Sequence, residues 1–370
     1  TMRRRLYPAD QYPQGHPDLA RSLNNLGLLH LLQGDYAIAR EYYKQVLAVS
    51  RQLHPAEQYP QGHPNLARSL SNLGSLLESQ GDYAAAREYH EQALAMSREL
   101  YPAEQYPSGH PDLALSLNNL GALFQSQGDY AGAREYHEQA LAMRRALYPA
   151  EQYPHGHPDL ASSLINLGAL LVAADDVEGA LVFLEEAETM ELAVLHRFFE
   201  LSSAEAMNQF LALQSGSEDL LITLASDDRS ALAPACRSVL ARKAAVLDAL
   251  IRQREFERLA AVDPEIEAQA TRMRALRQQL ADMALRPVNL GSQKRREEIA
   301  AKANALEGKL LRAVKSTLGD TTSAQPDLAR LAERLSSSSA LVEIVRYQPF
   351  DFQATGDQPR WLPPRYVAFV

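Results

Sequence analysis

The chain has 370 residues, 46% of them hydrophobic, with 37 Lys and Arg against 46 Asp and Glu for a net charge of −9. No run approaches the ~20 apolar residues of a membrane span, no signal peptide follows Met2, and the lone Cys236 excludes an intramolecular disulfide framework. Two or three folded units are therefore expected, soluble and in a reducing, cytoplasmic setting. The charge is uneven: residues 1–188 carry 13 basic against 23 acidic side chains, whereas residues 240–318 carry 16 against 10.

In chain order, the first feature is a repeat. Gly15-His16-Pro17, Gly62-His63-Pro64, Gly109-His110-Pro111 and Gly156-His157-Pro158 recur every 47 residues, each followed by an Asn-Leu-Gly triplet that begins at Asn25, Asn72, Asn119 or Asn166. A fixed period of this length implies stacked supersecondary units that together present a surface. The same ruler aligns Met2–Pro8 with Met143–Pro149, so position 1 is expected to fall inside a repeat of a longer array.

In the third copy, Leu113, Leu117, Leu120, Leu123 and Phe124 fall on one face of a helix from about Pro111 to Gln127. Gly128-Asp129 breaks it, with Asp129 placed to cap a second helix from Tyr130 to Leu147. The connector from Tyr148 to Pro158 holds three prolines and a glycine and cannot continue that helix.

These residues resemble the tetratricopeptide repeat. The Leu-Gly pair of that pattern falls on Leu26-Gly27, Leu73-Gly74, Leu120-Gly121 and Leu167-Gly168, and its second-helix alanine on Ala39, Ala86, Ala133 and Ala180. The later aromatic position holds Tyr43, His90, His137 and Leu184, and the next small position Val46, Ala93, Ala140 and Ala187. Small residues at such places let paired helices approach closely. Arg51 and Arg98 stand where the closing proline is usual, which implies the long second helix and connector of kinesin-light-chain-like repeats. Copy four is degenerate: Ala174-Asp175-Asp176-Val177 replaces Gln-Gly-Asp-Tyr, and the apolar Leu181-Val182-Phe183-Leu184 predicts docking on the following segment.

The resemblance implies that the first helices line a concave face that holds a protein or peptide ligand. Asn25, Asn72, Asn119 and Asn166 recur there, and an amide that donates and accepts suits the backbone of an extended peptide. An inter-repeat hydrogen bond or simple duplication accounts for them equally well. Arg21 and Arg68, replaced by Leu115 and Ser162 in later copies, are expected to tune specificity. His16, His63, His110 and His157 lack a second ligand at metal-site spacing, so each is expected to pack or bond within its own loop, with Tyr12, Tyr59, Tyr106 and Tyr153 pinning the connectors. No metal, cofactor or membrane partner is expected.

Beyond the repeats, Leu201–Leu211 reads as a capped helix start, and Pro234 opens a helix through Leu250. Pro264–Leu285 and Gln293–Leu318 read as an antiparallel hairpin, with Ile299, Ala303, Leu306, Leu310 and Ala313 as its seam. Its basic face makes binding in an RNA–protein assembly the lesser reading, since acids are interleaved and no recognition motif accompanies it. After Ser336–Ser339, the segments 340–347 and 365–370 read as strands. Leu341-Val342-Glu343, Tyr347–Phe352, Trp361 and Pro364–Phe369 resemble the opening of a CHAT domain, a caspase-like α/β protease fold found behind tetratricopeptide repeats. That resemblance places the catalytic His and Cys beyond Val370, and Cys236, in an apparent helix, is not a substitute. The expected fold is mainly α: a superhelix of tetratricopeptide repeats over 1–188, a helical connector with a hairpin over 189–325, and a truncated α/β start over 326–370. The expected function is a protein- or peptide-binding sensor with no catalytic residue of its own. A non-catalytic scaffold is the alternative.

Overall fold

A computed structural model describes Tyr7, residues 10–12, 15–199 and 216–284, scattered residues between 295 and 333, and residues 342–354 and 360–369. The chain is mainly helical. Its repeats form consecutive helix pairs: α1 Pro17–Leu32 with α2 Tyr36–Leu53, α3 Pro64–Ser79 with α4 Tyr83–Leu100, α5 Pro111–Ser126 with α6 Tyr130–Leu147, and α7 Pro158–Ala173 with α8 Val177–Phe199. The pairs build a superhelical array.

Each first helix starts the same way, for a local reason. A proline at its first position lacks only an N–H that would go unbonded, and it holds the preceding residue extended. That preceding residue is the recurrent histidine, extended at φ −137° to −146°, and its Nδ1 accepts the amide of the residue two further on. The distances are 3.1 Å to Asp18, Asn65 and Asp112 and 3.2 Å to Asp159. The expectation that these histidines bond within their own loops therefore holds; they are helix caps. The capping ring also stacks on the last aromatic of the preceding repeat. Tyr7 lies on His16, Tyr101 on His110 and Tyr148 on His157, at 3.6–3.7 Å between centroids. Tyr12, Tyr59, Tyr106 and Tyr153 meet these stacks edge-on. The Tyr7, Tyr101 and Tyr148 hydroxyls donate to Asp18, Asp112 and Asp159 at 3.0–3.1 Å. Burial, then these bonds, push Tyr101 and Tyr148 up to about 12.

The turn inside each pair needs a left-handed residue. Gly34, Gly81 and Gly128 supply it at φ 79°, 73° and 78°. In copy four Asp175 is held there at φ 64°, which costs an L-residue free energy. Asp82, Asp129 and Asp176 then cap the second helices, accepting the amides of Ala85, Gly132 and Gly179. Asp35 instead pairs with His30 at 3.2 Å.

Within a pair the helices pack at glycine. A Cβ on Gly27, Gly74, Gly121 or Gly168 would fall 2.7–2.8 Å from Tyr43, His90, His137 or Leu184 respectively, closer than packed carbon tolerates. Around this approach Ala39, Ala86, Ala133 and Ala180, and Ala93, Ala140 and Ala187, are 0% exposed. Between pairs a continuous apolar core is crossed by one buried hydroxyl pair at each of the first two junctions. Ser50 meets Ser69 at 2.9 Å and Ser97 meets Ser116 at 3.0 Å. In the third seam Arg144 takes the serine's place, donating to Ser163 at 3.1 Å and to the Asp159 carbonyl.

The chain divides into two compact units. One comprises Thr1–Met190, Asp219–Ala231 and Arg346–Tyr366; the other comprises Glu191–Glu218, Leu232–Val345 and Val367–Val370. In the first, Leu224 and Ala231 join Leu171, Ala180 and Ala187 in a core against which Leu181, Phe183 and Phe352 pack. Leu181 and Phe183, on the expected docking face of copy four, pack against this core, whereas Val182 is 63% exposed. After α9 Ser217–Asp227 and a short 3₁₀ turn comes α10 Leu232–Val262, with Pro234 in its first turn as expected, and then α11 Pro264–Ala284, both in the second unit. Arg242 is buried and donates to Glu191 at 2.8 Å and Glu218 at 3.3 Å. Ala270 and Met273 of α11 cluster with Leu310, and Leu306 packs against them. Ile299 and Ala303 are buried as the predicted seam requires. The expected helix start at Leu201–Leu211 and the hairpin loop at 286–291 lie outside the described residues. Strands β1 Glu343–Tyr347 and β2 Arg365–Phe369 pair in a two-stranded sheet, continued by an antiparallel bridge from Phe350 to Trp361.

Two predictions follow from the repeat geometry. Asp175→Gly relieves the left-handed strain against glycine's larger unfolded-state entropy, and is expected to stabilise the array by roughly 0.5–1 kcal/mol; equilibrium denaturation checks it, and a loss of stability contradicts it. His90 and His137 are buried, and burial lowers both to about 4. They bind protons in the unfolded chain before the folded one, so their contribution is fully present above pH ~6.5 and is lost as pH falls toward 4, at up to about 1.4 kcal/mol per pH unit each. Burial raises Glu78, beside His90, which opposes this trend at the acid end. Neither ring nitrogen of His90 has a hydrogen-bond partner among the described residues. His90→Leu, which copies Leu184, should therefore gain roughly 1 kcal/mol at pH 7 and flatten the acid slope of thermal stability; an unchanged slope contradicts it.

Candidate functional site

The first helices of successive repeats lie side by side, and the positions singled out in the sequence are spread along them. Asn25 is exposed, while Asn72, Asn119 and Asn166 are half-buried. Asn72 donates to Asn24 of the preceding repeat at 2.6 Å, so at this position the inter-repeat bond is made. Its own carbonyl oxygen remains an acceptor on the same amide.

Arg21, Arg68 and Asn72 come together. They line a cavity of about 260 Å³ between the first two repeats, with Asn24, Asn65, Ser69, Ser50 and His54 among the other walls. The local chemistry differs from that of the later junctions by two substitutions. His54 stands where Tyr101 and Tyr148 stand, and Asn65 stands where Asp112 and Asp159 stand. His54 still stacks on His63, at 3.4 Å, but the Tyr–Asp bond of the other connectors has no counterpart here among the described residues. Burial lowers His54, with the charge of His63 adding to it, and burial lowers His63. Arg21 donates to Asp18 at 2.8 Å. In the repeat of Arg68 the residue matching Asp18 is the uncharged Asn65. Two exposed guanidinium groups, one local carboxylate and a row of amides make this a cationic, hydrogen-bonding hollow on an otherwise acidic array.

The equivalent space farther along is closed from within. Asn118, which sequence reading passed over, is buried and donates to Ser163 at 3.0 Å, while its oxygen meets His137 Nδ1 at 3.0 Å. Arg144 fills the seam beside it. The signal was available: Asn24 and Asn118 occupy one repeat position that is Ser71 and Ile165 elsewhere, so it varies with its junction.

Among the described residues no cluster of His, Cys, Asp or Glu could hold a metal ion, and no helix is long and apolar enough to cross a membrane. Cys236 lies in α10, half-buried; burial and then Glu343 push its thiol up, against the thiolate a nucleophile needs.

The tetratricopeptide repeat family matches residues 19–65, 66–112 and 113–159, in step with the 47-residue period. No curated protein matches the chain. Among solved structures, BtubC (BKLC) from P. vanneervenii is 28% identical over 48% of this chain and 66% of its own length, just under two thirds, with a TM-score of 0.39. Two Podosopora anserina structures, of kinesin-light-chain type with nearly identical TPR-like repeats, are 22% and 23% identical. They cover 63% and 70% of this chain and 94% and 98% of theirs, each at a TM-score of 0.39. Residues 19–159 are three consecutive tetratricopeptide repeats.

Proposed function

We propose that the array binds an extended protein segment along the concave face made by its first helices, and that the cavity between repeats one and two receives an acidic side chain of that segment. The observation that carries this is the convergence of Arg21, Arg68 and Asn72 on one hollow where Asn65 replaces the aspartate of the other copies. Guanidinium groups bind carboxylates through paired, charge-assisted hydrogen bonds, and neighbouring amides fix the peptide backbone. Asn25, Asn119 and Asn166 extend the same row of amides.

We further propose that this array is the sensor part of a tetratricopeptide-CHAT protein. Support comes from the order of its parts: repeats, a helical connector over 189–325, then the two paired strands β1 and β2 within 326–370, with Phe350 and Trp361 packed at 4.8 Å. In that reading the protease chemistry belongs to residues after Val370, and the chain itself is a binding module. The parent gene downstream of codon 370 checks this point: a His and a Cys in caspase-like context support it, and their absence leaves a non-catalytic scaffold.

The binding claim is tested by selecting 12-residue peptides on the immobilised chain and titrating the best with variants. Acidic peptides should dominate, and Arg68→Glu should weaken them at least tenfold while circular dichroism stays unchanged. Replacing the peptide's acid by its amide should match that loss, and raised salt should weaken binding. Selection of peptides indifferent to Arg68 contradicts the assignment.

A further inference from the structure

The first unit contains residues 348–354 and 360, which lie between β1 and β2 in sequence and meet the repeats and α9. The Gln348 amide donates to Asp219 at 3.2 Å, and the Phe350 amide donates to Thr223 Oγ1 at 3.1 Å. Gln353 then donates to the Ala173 carbonyl at 3.1 Å and accepts from the Tyr130 hydroxyl at 3.3 Å, while Phe352 packs on the core of the fourth repeat. Farther on, Arg360 Nη2 donates to Ser126 Oγ at 2.8 Å, at the last turn of α5. The Ser126 hydroxyl in turn donates to Glu78 Oε1 at 2.7 Å, at the end of α3 one repeat earlier. Ser126 is buried and Glu78 mostly so. The segment thus places a guanidinium at a serine that bridges repeats two and three to a half-buried carboxylate.

We infer that Glu78 and Ser126 form an arginine-receiving subsite on the array, and that Arg360 of the same chain occupies it, so the segment between β1 and β2 competes with an arginine-bearing peptide for that position. Three arguments carry this. First, a carboxylate mostly withdrawn from water needs a cation or donors to stay charged. Burial raises Glu78, and the Ser126 bond and then the charge of Arg360 act against it. Second, the histidine side chains beside the site are neutral at pH 7 and do not supply that charge: His90 Nε2 lies 3.9 Å from Glu78 and is held near 4 by burial. Third, the position is specific to one junction. The residues matching Glu78 in the other copies are Leu31, Gln125 and Val172, none of them acidic. The chemistry that recognises this site is a planar donor with spare N–H groups, an arginine rather than a lysine.

This inference rests on the peptide-binding reading and extends it, since it assigns a second subsite of opposite charge one junction away from Arg21 and Arg68. A ligand arginine that enters at Glu78 would release Arg360 and with it the loop that joins the two strands.

The test has two arms. Hydrogen exchange over residues 348–354 and 360–362 in the full chain should quicken at least tenfold in Arg360→Gln, in Glu78→Gln and in Ser126→Ala, and no further in the Arg360→Gln/Glu78→Gln double variant, because each removes one shared contact. Unchanged exchange in Arg360→Gln overturns cis occupancy. In the second arm, acetyl-Gly-Gly-Arg-Gly-Gly-amide and its citrulline counterpart are titrated. The arginine peptide should bind Arg360→Gln at least tenfold tighter than wild type and lose that gain when Glu78→Gln is added. Equal binding of the citrulline peptide, or no binding by Arg360→Gln, overturns the subsite. Either failure leaves the Arg68 cavity untouched, because that cavity is read with acidic peptides and a different variant.

Discussion

The close approach of two helices at a glycine is the constraint on which the repeats depend. Gly27, Gly74, Gly121 and Gly168 face Tyr43, His90, His137 and Leu184 of the partner helix, with no room for even one more carbon. Only with that approach can the alanines at positions such as Ala86 and Ala133 be wholly buried, and burial of those small faces holds each pair together. The proline-histidine start and the aspartate cap then set where each helix begins, so successive pairs superimpose in step. A surface built this way is periodic by construction, and in the proposed reading its specificity lies in the departures from the period.

Those departures cluster at the junctions. The seam residue is Ser50, Ser97 and then Arg144, which turns a hydroxyl pair into a buried guanidinium held by Ser163 and a carbonyl. The connector pair Tyr–Asp becomes His54–Asn65 at one junction only, which opens a cationic hollow there. Glu78 is the acid at a position held by uncharged residues in the other copies, and it meets Ser126 across the next junction. A ligand that lies along the first helices would therefore meet a different charge at each step while its backbone meets recurrent amides. Buried, desolvated charges such as Glu78 also cost more when unmatched than exposed ones, which makes them strong discriminators.

The period, the helix pairs, the Leu-Gly approach and both strands were legible in the amino-acid sequence, because each rests on local spacing or on a motif. Asp129 as a cap and the histidines as loop-bound groups followed from chemistry within a few residues. What was not legible depends on pairing across long separations. Arg360 and Ser126 are 234 residues apart, and nothing in the periodicity links them. Asn118 was hidden because the neighbouring Asn119 carries the regular triplet, although Asn118 makes the buried network. Val182 was expected to be covered with its apolar neighbours and is instead exposed, since four consecutive residues span all sides of a helix and only one face can be buried.

The most direct test of a charge-graded binding surface is a crystal structure of the chain with its tightest selected peptide. The account predicts an extended peptide running along the first helices, with a carboxylate at Arg68 and, where the peptide carries an arginine, that side chain at Glu78 in place of Arg360. A peptide seated on the second helices, or one bound with Arg68 and Asn72 still facing solvent, would contradict it.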